Sequence, residues 1–205
     1  MLKLSKQKII AIKIWFIRQI YNHFMWLPKL WYTLTMRLTK VNDSRVSLYT
    51  NHADITESLN WGKLYKYDPL NGKLDYLAHP SKLAKNLKDE QLFGDCDDHA
   101  IYWCTSLLKS GLAESAWFCF YTMVKKNSLE MSSHAICVFK RKEDGWFYWA
   151  DYNLPSCLME GRHKWPQASA EKYGADAVAA VMIEIKEIKE DDTPVFGKIE
   201  VVDIP

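Results

Sequence analysis

The chain has 205 residues, enough for one domain of generous size with a further short segment. Hydrophobic residues make up 48% and charged residues 25%, which is typical of a folded globular protein, and the net charge of +2 gives no reason to expect nucleic acid as a partner. Five cysteines, an odd number without a CxxC pair, do not imply a complete disulfide framework, so we expect a reducing compartment. Four of them lie in or beside apolar runs and are interpreted as small buried residues: Cys104, Cys119, Cys137 and Cys157.

The first part of the chain, residues 1–40, is basic and aromatic, and we predict that it is a helical segment preceding a domain at residues 41–205. Pro28 is predicted to divide this segment into two helices. Its longest uncharged run, residues 19–28, is far shorter than the roughly 20 residues of a membrane span. We also find no secretory signal, because the apolar core is interrupted and no small-residue cleavage site follows it.

Two interpretations of residues 2–38 remain open. These helices can pack against the rest of the protein or dock on a partner protein, or they can lie on a membrane surface as basic, tryptophan-rich amphipathic helices. Apolar residues occur all round the first helix, as in the run at 14–17, and this pattern favours packing against protein.

The remaining elements are predicted from turn residues and hydrophobic spacing. Residues 39–60 are polar and are interpreted as a connection, and Asn71-Gly72 predicts a tight turn in a tyrosine-rich loop or hairpin. Beyond that loop the pattern predicts, in order, helices at 80–88 and 95–110, strands at 116–124, 134–140 and 146–152, a helix at 168–173, a strand at 179–185, and a weakly strand-like tail.

A cysteine opens the helix predicted at 95–110. Asp95 is a plausible N-cap, Cys96 lies in the first turn, and Gly111 ends the helix. The free N–H groups and the dipole at a helix N-terminus favour thiolate over thiol, and the same N–H groups can hold an oxyanion. Asp97 and Asp98 suit the positive end of the helix but oppose thiolate formation, so a neighbouring imidazolium becomes more necessary.

A base for this thiol is predicted on a hairpin. Lys142–Gly145 is good turn material between the second and third predicted strands. His134 begins the second strand and Asp151 ends the third, each within about ten residues of the turn centre, so an antiparallel pairing brings them together. A carboxylate beside an imidazole orients it as a general base for a nucleophilic thiol.

The sequence Gly-Asp-Cys96-Asp-Asp-His-Ala, followed by Ser-Ser-His134-Ala and then Trp-Ala-Asp151, resembles the transglutaminase-like cysteine peptidases of bacteria and their phages, within the papain-like superfamily. The resemblance covers about residues 60–185. It implies an α+β fold in which a helix carrying the cysteine packs on an antiparallel sheet carrying the histidine and the aspartate. It also implies Cys96 as nucleophile, His134 as general base and Asp151 as the residue that orients His134, with a protein or peptide substrate and no cofactor.

Three secondary assignments accompany this triad. Beside the backbone N–H of Cys96, a second oxyanion donor is expected from Gln91, five residues before the cysteine, or from the indole of Trp61. His99 is a rival base, ranked second because no other element offers it an orienting carboxylate. A metal site from Cys96, Asp97 and His99 is the weakest alternative, because one helical turn cannot close a tetrahedral coordination sphere, and we expect no metal.

The leading hypothesis is a thiol hydrolase, a peptidase or amidase working through an acyl-enzyme, in the cytoplasm, or in the host cytoplasm or virion if a phage encodes it. A transglutaminase-type acyl transfer would use the same triad, since the two reactions differ only in whether water or an amine accepts the acyl group. The alternative from another class is a non-catalytic binding or structural module that keeps the fold and docks on a virion or membrane through residues 2–38. The presence of all three triad residues argues against that module.

Overall fold

The structure is a computed structural model that describes residues 5–24, 26–59, 77–91, 94–152, 154–158 and 161–204. In chain order its elements are α1 (Lys6–His23), α2 (Trp26–Thr39), α3 (His52–Ser58), α4 (Pro80–Lys88), α5 (Cys96–Lys109), β1 (Ala113–Lys125), β2 (Met131–Arg141), β3 (Phe147–Asp151), β4 (Leu154–Leu158), α6 (Trp165–Lys172), β5 (Ala175–Ile188) and β6 (Pro194–Val202). The predicted tyrosine-rich loop around Asn71-Gly72, Trp61 and the side chain of Cys157 lie outside the described residues.

The strands form one sheet in the order β4-β3-β2-β1-β5-β6, and each neighbouring pair is antiparallel. The predicted α+β class is therefore confirmed. The long central strand β1 pairs with β2 on one side and with β5 on the other, and both partners run well beyond the predicted strand limits. Hairpins join β2 to β3 and β5 to β6, so the sheet is built largely from local connections.

Helix α5 packs on one face of the sheet, against β1 and β2. Ile101, Trp103, Cys104 and Leu107 recur at helical spacing and are fully buried. The helix ends as predicted at Gly111, whose φ of +66° is a left-handed conformation that glycine adopts without a steric penalty. On the other face, α6 packs on β5, and its Trp165 belongs to a second apolar cluster.

Two predicted features are corrected by the structure. Residues 39–60 are not simply a connection, because α3 forms within them. Asn51 caps this helix by accepting from the N–H of Asp54, and Ile55 and Leu59 are fully buried. Ile55 and Leu59 are the only two large apolar residues within residues 51–59, too few for hydrophobic spacing to predict a helix. The two N-terminal helices exist, but Pro28 lies in the first turn of α2 rather than between them, where its missing N–H costs nothing.

The N-terminal helices pack on the sheet through one side each. In α1, Arg18 donates from Nε to the carbonyl of Val178, and the hydroxyl of Tyr21 lies 3.1 Å from that of Thr122. In α2, Tyr32 and Met36 are buried in the same apolar cluster as the core residues of α5, and the ring of Tyr32 packs edge-on against Phe118 of β1. Among the described residues, no helix combines the length and the apolar character that crossing a membrane requires.

Candidate active site

The predicted proximity of His134 and Asp151 is confirmed. The β2–β3 pairing begins beside the turn and ends at Cys137 and Ala150, so His134 lies three residues beyond the last pair and Asp151 one residue beyond. His134 Nε2 is 2.7 Å from Asp151 Oδ1, and both side chains are buried. Because Asp151 occupies Nε2, Nδ1 is the ring nitrogen left to accept a proton from a thiol.

A third group at this pair, Tyr173, was missed by the sequence reasoning. Its hydroxyl donates to Asp151 Oδ2 at 2.8 Å and lies 3.1 Å from His134 Nε2. Burial, and then the neighbouring Asp151 charge, raise the pKa of Tyr173, so the hydroxyl stays protonated and remains a donor. The only signal in the sequence was an aromatic residue at the end of a predicted helix, followed by a glycine. In the structure this glycine, Gly174, has a φ of +63° and follows the end of α6.

Tyr152 closes this side of the site from the turn between β3 and β4. Its φ of +53° is unusual for a tyrosine, and its carbonyl accepts a hydrogen bond from Trp103 Nε1 of α5. Its ring centroid is 5.4 Å from that of His134 and 5.3 Å from that of His99. The turn that ends β3 is therefore attached to α5 beside the catalytic candidates.

Cys96 is the first residue of α5, as predicted, and it is partly exposed. Its neighbour Asp95 occupies the N-cap position, but the Asp95 side chain makes no capping hydrogen bond. The Cys96 charge contributes to raising the pKa of both Tyr121 and Tyr173, after the larger effect of burial. The rings of these two tyrosines contact that of His134, at 5.8 and 5.1 Å between centroids. The thiol is thus within electrostatic range of the groups that surround His134.

His99 lies one turn after the cysteine and is fully buried. Burial lowers the pKa of His99 to about 3; the Asp151 charge opposes this shift and His134 adds to it. An imidazole with so low a pKa is a weak proton acceptor at neutral pH. This environment favours His134 over His99 as the base, in line with the ranking from sequence.

Three acids lie next to Cys96 along the chain, Asp95 before it and Asp97 and Asp98 after it. Asp98 is buried and accepts from the backbone N–H of Ala78 at 2.9 Å, so it ties the chain before α4 to the start of α5. Gly94 allows this contact, because an added Cβ would lie 2.1 Å from Asp98 Oδ2. Donor atoms of Asp95, Cys96 and Asp97 lie within 4.8 Å of one another, which differs from the metal-ligand set considered from the sequence. Three consecutive residues offer only one side of a coordination sphere.

The two candidates for a second oxyanion donor are not brought to the thiol by the described part of the chain. Gln91 is exposed after the end of α4, where its backbone N–H donates to the carbonyl of Asn86. Trp61 lies in residues 60–76, outside the described residues. The backbone N–H of Cys96 is the donor that the helix start itself provides.

The buried cysteines differ from Cys96 as predicted. Cys104, Cys119 and Cys137 are fully buried, and burial raises the pKa of Cys119 and Cys137 well above the usual value for a thiol. Such thiols are poor nucleophiles at neutral pH.

In comparisons with models of protein families, with curated proteins and with solved structures, nothing matches this chain. The geometry of the site therefore carries the functional argument.

Proposed function

We propose that the protein is a thiol hydrolase that cuts a peptide or side-chain amide through Cys96, His134 and Asp151. The observation that carries this proposal is the buried His134–Asp151 pair, with 2.7 Å between Nε2 and Oδ1, at a site within electrostatic range of a cysteine at a helix N-terminus. A helix bearing the cysteine, packed on antiparallel strands bearing the histidine and the aspartate, is also the arrangement of the papain-like proteins that the sequence motifs resemble.

In the proposed reaction, the Cys96 thiol gives its proton to His134 Nδ1 and its sulfur forms a bond to the substrate carbonyl carbon. The carbonyl π electrons move to oxygen, and the Cys96 N–H stabilises this oxyanion. When the oxyanion collapses, the C–N bond breaks and the imidazolium gives its proton to the leaving amine. Water, deprotonated by His134, then attacks the thioester and releases the acid with the free thiol.

The imidazolium has a second task, because acids crowd the thiol. Asp97 and Asp98 lie in the first turn of α5 with Asp95 just before it, and negative charge so close disfavours a thiolate. A protonated His134, held by Asp151, supplies the opposing charge. The nucleophile is therefore best described as one member of a Cys–His ion pair, with the helix terminus as a secondary contribution.

Tyr173 and Asp151 act on the histidine rather than on the substrate. The Tyr173 hydroxyl holds Oδ2 of Asp151 while Oδ1 holds His134 Nε2, so the carboxylate cannot rotate freely. A carboxylate fixed at both oxygens keeps the imidazole in one tautomer and one orientation.

Cleavage of a peptide library, followed by mass spectrometry, tests the proposal. We expect the wild-type chain to release defined products and Cys96→Ala to release none. His163→Ala serves as the matched control, because His163 is an exposed histidine outside the site, and it should cleave like the wild type. Equal product formation by wild type and Cys96→Ala would overturn the proposal.

A further inference from the structure

The outer sides of α1 and α2 carry an unusual amount of exposed apolar surface. Of the sixteen exposed large hydrophobic residues in the described part of the chain, eleven fall within residues 9–38. On α1 they are Ile9, Ile12, Trp15 and Phe16; Phe24 follows this helix; and on α2 they are Trp26, Leu27, Leu30, Trp31, Leu34 and Leu38. We call these eleven side chains the outer apolar face. Scattered apolar residues on a surface are ordinary, but a concentration of this kind marks an interaction site.

Each helix is apolar on two opposite sides. In α2, residues 26, 30, 34 and 38 recur every four positions and are exposed, whereas Tyr32, Thr35 and Met36 on the opposite side are buried. This arrangement explains the all-round apolar pattern in the sequence. The inner sides pack against the rest of the protein, as one of the two interpretations of the sequence expected. The outer sides are exposed and could be buried in a second apolar environment.

The charged residues of the same segment are all basic. The first 42 residues contain eight lysines and arginines and none of the 25 acids, so the remaining 163 residues have a net charge of −6. A basic segment with tryptophans and an apolar face is suited to the boundary between lipid headgroups and acyl chains, where indole rings are enriched and cations meet anionic lipids.

A basic cleft lies beside α2. It has a volume of about 430 Å³ between this helix and the β5–β6 hairpin, and four cations line it against one acid, Asp191. The cations are Lys29, Arg37, Lys40 and Lys189; Lys40 pairs with Asp191, and Lys29 donates to the carbonyl of Gly197. Arg37 and Lys189 are exposed, and on α2 Arg37 directly precedes Leu38 of the outer apolar face.

From these observations we infer that the protein docks on an anionic lipid bilayer, with the outer apolar face of α1 and α2 at the acyl boundary and the α2 cleft on lipid headgroups. The helices lie on the surface, since no described helix can span a bilayer. Pairing of two copies through this face would bury the apolar residues but would bring two acid-free basic segments together, which electrostatics opposes. The inference does not depend on the proposed hydrolase activity.

Sedimentation with vesicles tests the docking. The full chain is mixed with vesicles of phosphatidylcholine alone or of phosphatidylcholine with phosphatidylglycerol, and the bound fraction is measured at low and high salt. We expect binding to the anionic vesicles, weaker binding at high salt, and little binding to phosphatidylcholine alone.

Two double variants separate the apolar and the charged contributions. Leu30→Glu with Leu34→Glu should weaken binding at least roughly tenfold, because two apolar side chains that would be buried among acyl chains are replaced by charged ones. Arg37→Glu with Lys189→Glu should remove the preference for anionic vesicles. The matched control, Leu48→Glu with Trp146→Glu, changes exposed hydrophobic residues outside α1 and α2 and should bind like the wild type.

Three results would overturn the inference: no binding to anionic vesicles, equal binding to both vesicle types, or equal loss of binding in the control. A dimer in solution that dissociates in Leu30→Glu with Leu34→Glu, without vesicle binding, would assign the face to a second copy of the chain instead. All variants change exposed side chains, and circular dichroism with thermal unfolding verifies that each is folded.

Discussion

The two ends of α5 both bring charged groups into the protein interior, and they do so in different ways. At the C-terminal end, Lys109 Nζ lies 2.6 Å from Oδ1 of the fully buried Asp192. Oδ2 of the same aspartate accepts from the Val46 N–H at 2.7 Å, and Lys109 also donates to the Val46 carbonyl at 2.7 Å. These three residues form a closed unit in which a cation near a helix C-terminus also suits the dipole.

The N-terminal end of α5 gathers groups of a different kind. A partly exposed thiol, three acids and His99 occupy its first turn and the residue before it. The His134–Asp151–Tyr173 cluster lies within electrostatic range of this turn. Asp97 and Asp98 suit the positive end of the helix dipole, but negative charge so near a thiol disfavours the thiolate form. If the proposed function is correct, the C-terminal end of α5 serves stability alone, whereas the N-terminal end also serves the reaction of Cys96. Variants at the C-terminal end should therefore change stability without changing the reactivity of the thiol.

The largest expected effect is on stability, at the C-terminal end. Asp192→Asn keeps the side-chain shape and a residue type that tolerates the φ of +66° at this position, but it removes the charge opposite Lys109. Breaking a buried ion pair from one side typically costs about 3–5 kcal/mol. Urea unfolding should show a loss of about that size, while the alkylation rate of Cys96 in native buffer stays unchanged.

Asp176→Asn is the matched control for this variant, because Asp176 pairs with Lys126 at an exposed position. Exposed pairs contribute about 0–1 kcal/mol. If Asp192→Asn instead slowed Cys96 alkylation with little loss of stability, the assignment of stability to the C-terminal end of α5 and of thiol reactivity to its N-terminal end would be wrong.

A smaller effect, on both properties, is expected at Gly94. In Gly94→Ala the new Cβ would meet Asp98 Oδ2 at 2.1 Å, so Asp98 must shift and its hydrogen bond from the Ala78 N–H is lost. We expect a loss of about 1–3 kcal/mol, the cost of leaving a buried polar group unsatisfied, together with slower Cys96 alkylation.

Gly197→Ala provides the comparison for this variant. There the added Cβ would lie 2.6 Å from Glu184 Oε2, at the far end of a flexible side chain that can move away. A stability loss in Gly197→Ala as large as in Gly94→Ala, or an unchanged alkylation rate in Gly94→Ala, would show that Asp98 does not position the start of α5.

The smallest expected effect is the pH dependence of stability, which involves one histidine at each end. Burial lowers the pKa of His79, beside the Asp192 loop, to about 4, and that of His99, beside Cys96, to about 3. The unfolded chain binds these protons from about pH 6.5 downward, whereas the folded chain does not. The stabilisation is therefore complete above about pH 6.5 and is lost as the pH falls toward 4 and 3.

Urea unfolding at pH 7 and pH 5 measures this loss, which should be on the order of 1 kcal/mol for each histidine. His79→Asn keeps a residue that can cap α4 and should reduce the difference between the two pH values. His163→Asn, at an exposed position, should leave it unchanged. A pH difference that is identical in all three proteins would contradict the assignment to His79.

The sequence predicted those features that depend on local patterns. Helix α5, the β2–β3 hairpin and the contact of His134 with Asp151 all follow from turn residues and spacing along one stretch of chain. Tyr173 could not be found in this way, because β5 and α6 place it at the site through contacts between distant elements. The Lys109–Asp192 pair could not be predicted for the same reason. Its members are 83 positions apart, and neither stands out from its neighbours in the sequence.

The N-terminal helices show another limit of sequence reasoning. Apolar residues all round a helix predict burial, but in the structure the outer sides of both helices are exposed, the inner side of α1 is half-buried and that of α2 is buried. Each helix has one apolar face that packs on the protein and another that is exposed, and hydrophobic periodicity alone does not distinguish the two.

The central claim, that Cys96 reacts as part of an ion pair with His134, is tested most directly by the pH dependence of its alkylation by iodoacetamide. Selective labelling of Cys96 would not suffice, because burial alone protects Cys104, Cys119 and Cys137. We predict that the wild-type rate reaches a plateau well below pH 8, and that His134→Ala reacts roughly tenfold or more slowly at pH 7 and rises only near the ordinary thiol pKa of about 8.5. Superimposable profiles for the two proteins, both rising near pH 8.5, would contradict the account.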